Sequence, residues 1–250
     1  MKVISFLNQK GGTGKTTSCI NVGARLAQKG FKVLLVDVDP QGSLTTSLAI
    51  NTEESDTLYE VLKGEADANE VIVKHGNYSV LPTDLNMSGA EIELVREVGA
   101  EQLMRTNVIN KLKESYDFIL LDCPPALNIF TVMSLAASDG VIIPLQAQFL
   151  PYNGIVQLQR TIATVKERLN PGLENIGFVF TMHDRRKNLE KQVAERIEAE
   201  NPGKTFNITI SNNIALAEAQ AMGKDIFEYD PKAKGAIQYT ALTAEILERI

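Results

Sequence analysis

Asn8-Gln9-Lys10-Gly11-Gly12-Thr13-Gly14-Lys15-Thr16-Thr17 follows the apolar run Val3-Ile4-Ser5-Phe6-Leu7 and leads into a helical pattern. Strand, glycine-rich loop and helix in that order make a phosphate cradle. A polyphosphate carries several negative charges, so its holder needs inward-pointing backbone N–H groups, a helix N-terminus behind them and a fixed cation. Gly11, Gly12 and Gly14 free the backbone from the restrictions a Cβ imposes and let it approach the phosphates closely. Lys15 is placed to reach the β- and γ-phosphates, and Thr16 to offer its hydroxyl to Mg²⁺. The loop is therefore expected to hold a triphosphate together with Mg²⁺.

The general pattern G-x-x-x-x-G-K-[ST] fails at one position, because Gln9 holds the place of its first glycine and Lys10 follows. After the loop, Ile20, Val22, Gly23, Leu26 and Ala27 recur at helical spacing until Lys29-Gly30 signals a stop. Val33-Leu34-Leu35-Val36-Asp37 is then a continuous apolar run, as a strand buried on both faces of a parallel sheet requires. Strand, helix, strand predicts a right-handed βαβ unit. The carboxyl end of the second strand opens into Val38-Asp39-Pro40-Gln41-Gly42, where open α/β sheets bind ligands.

Residues 43–75 hold a short helical pattern around Leu58, Val61 and Leu62, read as peripheral packing, with His75 as a solvated turn residue. Tyr78-Ser79-Val80-Leu81-Pro82 predicts another strand, followed by interrupted helical stretches to Lys113. Phe118-Ile119-Leu120-Leu121-Asp122 has the form of a Walker B strand, whose terminal Asp122 is expected to hold Mg²⁺ through water. Further strands are predicted at Gly140–Leu145, Ile176–Thr181 and Thr205–Ile210, with helices from Gly154 to Leu169, around Val193 and Ile197, after Asn213 and at the terminus.

At 250 residues, 44% hydrophobic and 22% charged, the chain fits one large α/β domain spanning 1–250. The formal charge of −6 excludes an overall basic coat and leaves room for a local basic patch. Cys19 and Cys123 lack metal-ligand spacing and read as reduced, buried thiols; with His75 and His183 they build no zinc site. No N-terminal signal pattern and no apolar run of roughly 20 residues is present, so a soluble cytoplasmic protein without membrane attachment is expected.

Lys10-Gly11-Gly12-Thr13-Gly14-Lys15-Thr16 resembles the deviant Walker A box of the ParA/MinD ATPases, with Lys10 at the position of their signature lysine. Asp37-Val38-Asp39-Pro40-Gln41-Gly42 resembles the Walker A′ box, and Asp122-Cys123-Pro124-Pro125 the D-x-P-P turn beside the γ-phosphate. Thr181-Met182, Glu218-Ala219 through Gly223-Lys224, Tyr229-Asp230-Pro231 and Gly235-Ala236 extend the resemblance over nearly the whole chain.

That likeness implies a three-layer P-loop NTPase fold, α/β, with a mostly parallel central sheet flanked by helices. It implies catalytic roles for Lys10, Lys15 and Asp39, with Asp39 orienting the attacking water while Asp37 hydrogen-bonds within the site. It implies nucleotide contacts from residues 10–17 and Met182, and metal contacts from Thr16, Asp39 and Asp122. ATP would close two copies face to face, with Lys10 reaching the partner's phosphates. The dimer would bind nucleoid DNA without regard to sequence through Arg185, Arg186, Lys187, Lys232 and Lys234. A ParB-like or cargo-adaptor protein would stimulate hydrolysis, and the cargo would be a plasmid, chromosome or large protein complex.

Two departures bear on this. Ser211-Asn212-Asn213-Ile214-Ala215-Leu216 stands where many members carry Pro-Arg-x-x-Arg-Leu, so two arginines near the DNA face are replaced by Asn212 and Ala215. Asn153 stands where glutamate is common. A MinD-like membrane-cycling regulator is the alternative, although the final helix carries Glu245 and Glu248 where anionic lipid would favour cations. A metabolic enzyme of the superfamily is a third: nitrogenase reductase needs cluster cysteines, and a dethiobiotin-type synthetase gives Lys10 no work.

Overall fold

A computed structural model describes residues 1–147, 152–184 and 186–250. Among them seven strands form one sheet: β1 Lys2–Phe6, β2 Val33–Asp37, β3 Val73–His75, β4 Tyr78–Leu81, β5 Phe118–Asp122, β6 Gly140–Gln146 and β7 Glu174–Thr181. Their spatial order is β3-β4-β2-β5-β1-β6-β7, with every neighbouring pair parallel except β3 and β4. The order reverses around β1, with β5 on one side and β6 on the other, and the loop after β1 therefore opens at the switch point where such sheets take ligands.

Alternation along the strands feeds two cores. Leu34, Val36, Ile119 and Leu121 face one layer, covered by the helices Ile129–Ala137 and Tyr152–Arg168 and by the helical run around Met104. Val33, Leu35, Phe118 and Leu120 face the other, covered by the helices Lys15–Gln28, Ile214–Ala221 and Lys234–Arg249. These are the three layers that the sequence implies, and the continuous apolar runs are apolar because both faces are covered.

Two expectations fail at the edges. His75 is half-buried at the end of the short antiparallel strand β3, its ring 5.4 Å from that of Tyr78, and is not a free turn residue. Thr205–Ile210 runs beside β7 but forms no regular strand. Phe206 donates to the Phe178 carbonyl at 2.9 Å and Ile210 to that of Phe180 at 2.8 Å. Between them, the N–H groups of Asn207 and Ile208 turn to the Glu245 carboxylate at 2.9 and 3.0 Å, so a side chain of the C-terminal helix takes donors that a strand would give to its neighbour. Gly177 allows this approach: a Cβ there would lie 2.5 Å from the Lys204 carbonyl oxygen.

Candidate nucleotide and metal site

β1 delivers the chain to the loop, and three side chains hold that loop from outside. Buried Asn8 donates to the Pro144 carbonyl at 2.6 Å and accepts the Lys10 N–H at 3.0 Å, bracing the loop on β6. Thr181, at the end of β7, donates to the Thr13 carbonyl at 2.7 Å, and Gln146, at the end of β6, donates to that of Gly12 at 2.6 Å. Gly12 and Gly14 have φ of 70° and 80°, a region that costs a residue with a Cβ.

Helix Lys15–Gln28 starts from Gly14, whose carbonyl accepts the Ser18 N–H at 2.9 Å. A glycine at this position offers no capping side chain, so the first-turn amides remain available to an anion, at the positive end of the helix dipole. A Cβ on Gly11 or Gly12 would meet no protein atom within 4 Å, which leaves the open side of the loop to a ligand.

The charged groups converge behind it. Thr16 Oγ1 donates to Asp122 Oδ2 at 2.7 Å, while Asp122 Oδ1 is buried with no protein partner among the described residues. Asp37 pairs with Asp122 across β2 and β5, and its Oδ2 accepts the Thr45 N–H and hydroxyl, both at 2.8 Å. The expectation that Asp37 bonds within the site thus holds. Burial pushes Asp37 up to about 7, against those two bonds from Thr45. Burial also raises Asp122 well above the ordinary carboxylate range; Asp37 adds to the rise, and Thr16 and Lys15 oppose it. Lys15 is buried and its ammonium is pulled below its usual value by desolvation, against the attraction of Asp122 and Asp39. Asp39, also buried, accepts the Gln41 N–H at 3.0 Å.

These residues fit ATP and Mg²⁺. Thr16, Asp39 and Asp122 supply hard oxygen donors, and the unpartnered Oδ1 of Asp122 is a buried acceptor waiting for a cation or its water. Among the described residues no cluster of three or more His, Cys, Asp or Glu side chains stands ready for a metal, and Mg²⁺ does not need one, since phosphate oxygens and water complete its shell.

Lys10 is exposed at the loop mouth, its amine 3.4 Å from Gln146 Oε1. The same Gln146 amide nitrogen lies 2.8 Å from Met182 Sδ, and Met182 holds a φ of 50°, unusual for a side-chain-bearing residue. Thr17 Oγ1 points to Gln220 Oε1 at 3.4 Å. Sequence reading did not assign Asn8, Thr45, Gln146 or the Thr181 hydroxyl. Of these, only Thr181 carried a signal, as part of the Thr181-Met182 motif.

The cations expected on DNA are differently placed. Arg185 and the Asn153 side chain lie outside the described residues. Arg186 is solvent-facing but forked onto Asp184, with Nε and Nη2 each 2.9 Å from a carboxylate oxygen. Lys187 reaches Glu190 Oε1 at 3.1 Å. Lys232 and Lys234 are exposed. Arg186, Lys234 and Asn212 line one cleft of about 740 Å³, so Asn212 occupies the same surface as two of the candidates.

The chain is similar to known proteins along its whole length. A family model described as an AAA domain matches residues 1–175. The chromosome partitioning protein ParA of Caulobacter vibrioides is 41% identical over 254 residues, covering 100% of this chain and 95% of its own. The sporulation initiation inhibitor protein Soj of Bacillus subtilis is 40% identical over 248 residues, covering 98% of each. Among solved structures, cobyrinic acid a,c-diamide synthase from Mycobacterium smegmatis, with a bound ATP analogue and magnesium, superimposes with a TM-score of 0.85 at 31% identity, covering 99% of this chain and 95% of that one. With the signature lysine, the braced phosphate loop and the Thr16–Asp122 pair in place, this chain belongs to the ParA/Soj family of P-loop ATPases.

Proposed function

We propose that this protein is an Mg²⁺-dependent ATPase that positions or segregates a cargo, pairing with a second copy when ATP is bound and holding non-specific DNA in that state. The observation that carries the reading is the contrast between two lysines of one loop. Lys15 is buried among Asp39 and Asp122, where it serves its own phosphates, whereas Lys10 is exposed at the mouth and, among the described residues, its amine meets Gln146 Oε1 at 3.4 Å. A cation held outward at a phosphate site is suited to a second molecule's γ-phosphate, as an arginine finger is. When bound, Mg²⁺ would supply charge neutralisation between the phosphates. The chain's own part is to hold the phosphates on the loop amides and Lys15, and to orient water with Asp39.

The cargo is read from the relatives: two named for chromosome partitioning or sporulation control share 40% identity or more with this chain. The MinD-like alternative has less support, because Tyr239, Leu242 and Ile246 of the helix Lys234–Arg249 are buried against the sheet layer and are not free for lipid. No helix among the described residues is long and apolar enough to cross a membrane.

The deciding experiment measures binding of the purified chain to unrelated DNA fragments with ATP, with ADP and without nucleotide, at two salt concentrations. Salt-sensitive binding with ATP alone is expected, equal across sequences. Binding in no nucleotide state would refute the DNA component, with Asn212 and Ala215 as the cause to examine first.

A further inference from the structure

Two carboxylates stand side by side at the phosphate site. Asp37 and Asp122 are register partners at the ends of β2 and β5. Alternation along each strand, from Val33 and Leu35 to Asp37 and from Phe118 and Leu120 to Asp122, turns both toward the layer of the helix Lys15–Gln28. Neighbouring strands lie about 4.8 Å apart, which brings the two groups within reach of one ion. Both are buried, and the Oδ1 of each has no hydrogen-bond partner among the described residues.

Their other oxygens are treated differently. Asp122 Oδ2 accepts one bond, from Thr16, itself a candidate for the metal. Asp37 Oδ2 accepts two bonds, from the N–H and the hydroxyl of Thr45. Thr45 is buried, and its Oγ1 accepts the Thr83 N–H at 3.1 Å, which leaves the hydroxyl proton aimed at Asp37. A chain of bonds from Thr83 through Thr45 therefore tethers one carboxylate and leaves the other to the cation.

This difference matters to the choice of ion. Mg²⁺ gives up water reluctantly and is content with one or two carboxylates beside phosphate oxygens, whereas Ca²⁺ takes about six to eight oxygens in looser geometry. A second free carboxylate next to Asp122 would displace water and favour the larger ion.

We propose that Thr45 sets the cation preference of the ATP site, by holding Asp37 out of the inner shell so that Asp122 meets the metal with water in place. Thr45 is thus a positioning residue that acts through Asp37. The proposal rests on the Mg²⁺–ATP site and on neither dimerisation nor DNA.

The test is titration of the purified chain with a fluorescent ATP analogue, once in Mg²⁺ and once in Ca²⁺, the ratio of the two Kd values being the readout. The unmodified chain should prefer Mg²⁺. Thr45→Val keeps the side chain's shape and its N–H bond and removes the hydroxyl alone; the preference should fall about tenfold, as changes behind a metal ligand commonly do. Thr45→Ser should keep the preference. Adding Asp37→Asn to Thr45→Val should restore it, because the freed group then carries no charge, and a general loosening of the loop would show no such rescue. Asp37→Asn alone should also keep it, and this variant decides the matter if Thr45→Val does not fold.

Three results would overturn the proposal while leaving the nucleotide site standing. They are an unchanged ratio in folded Thr45→Val, no rescue by Asp37→Asn, or loss of the Mg²⁺ preference in Asp37→Asn alone, which would place Asp37 on the metal of the unmodified chain. Failure of the unmodified chain to bind the analogue with Mg²⁺ would overturn the nucleotide site and the proposal together.

Discussion

Replacing Thr181 with valine tests whether the phosphate loop is held by the strand beside it. The Thr181 hydroxyl donates to the Thr13 carbonyl at 2.7 Å and lies 3.1 Å from that of Leu145. Thr181 is 2% exposed and Thr13 1%, so water cannot replace the lost donor. Leaving a buried acceptor unsatisfied costs about 1–3 kcal/mol. With about 2 kcal/mol as the central value, the melting temperature should fall by about 4–8 °C in a chain of this size. The loop has one alternative, which is to let the Thr13 carbonyl turn out to solvent. Stability is then spared, but ATP must restore the loop, and up to the same 2 kcal/mol, about 30-fold in Kd, is lost from affinity. Circular dichroism melts and titration with a fluorescent ATP analogue read the two losses together. Thr181→Ser, which keeps the hydroxyl, should retain most of both. Wild-type melting and wild-type affinity in Thr181→Val would refute the tether.

Lys15→Ala should abolish the stabilisation that Mg·ATP gives the unmodified chain, about 2.7 kcal/mol at a hundredfold excess over Kd, read as a lost rise in melting temperature. Asp39→Ala should keep that rise and lose turnover; normal hydrolysis by this variant would remove Asp39 from the catalytic role. Lys10→Ala should bind nucleotide normally yet give no ATP-dependent dimer by light scattering. Gly177→Ala should destabilise the chain by about 1–3 kcal/mol in urea, because the added methyl meets a backbone carbonyl that cannot swing aside.

The central sheet was legible because its strands are buried on both faces and therefore uniformly apolar: Val33–Asp37 and Phe118–Asp122 could be bounded from composition alone. The loop was legible because phosphate binding dictates residue types at fixed spacing. The edges were not. Val73–His75 is three residues long and pairs on one side only, so it carries no apolar run. Thr205–Ile210 has strand composition, but Glu245, 37 residues after Ile208, captures its amides. The same distance in sequence hid the braces of the site, since Gln146 lies 134 residues from Gly12 and Thr181 168 from Thr13. The cluster at 185–187 was visible as positive charge, yet Asp184 and Glu190, the carboxylates that pair with Arg186 and Lys187, determine how much of that charge faces outward.

The bonds that the Asn207 and Ile208 amides donate to Glu245 also bear on solubility. An open sheet offers its outermost backbone to any passing chain, and growth of a cross-molecular ladder is the standing hazard. Here part of that border is already occupied by the molecule's own last helix, secured by Arg249, which is paired with Glu245 at 2.7 Å and stacked 4.1 Å from the Phe206 ring. The opposite border is a three-residue strand bearing Lys74, too short to template much. A protein whose proposed work crowds many copies onto one scaffold gains from one border being partly occupied and the other kept short, because its association can then be governed by nucleotide and not by sticky backbone.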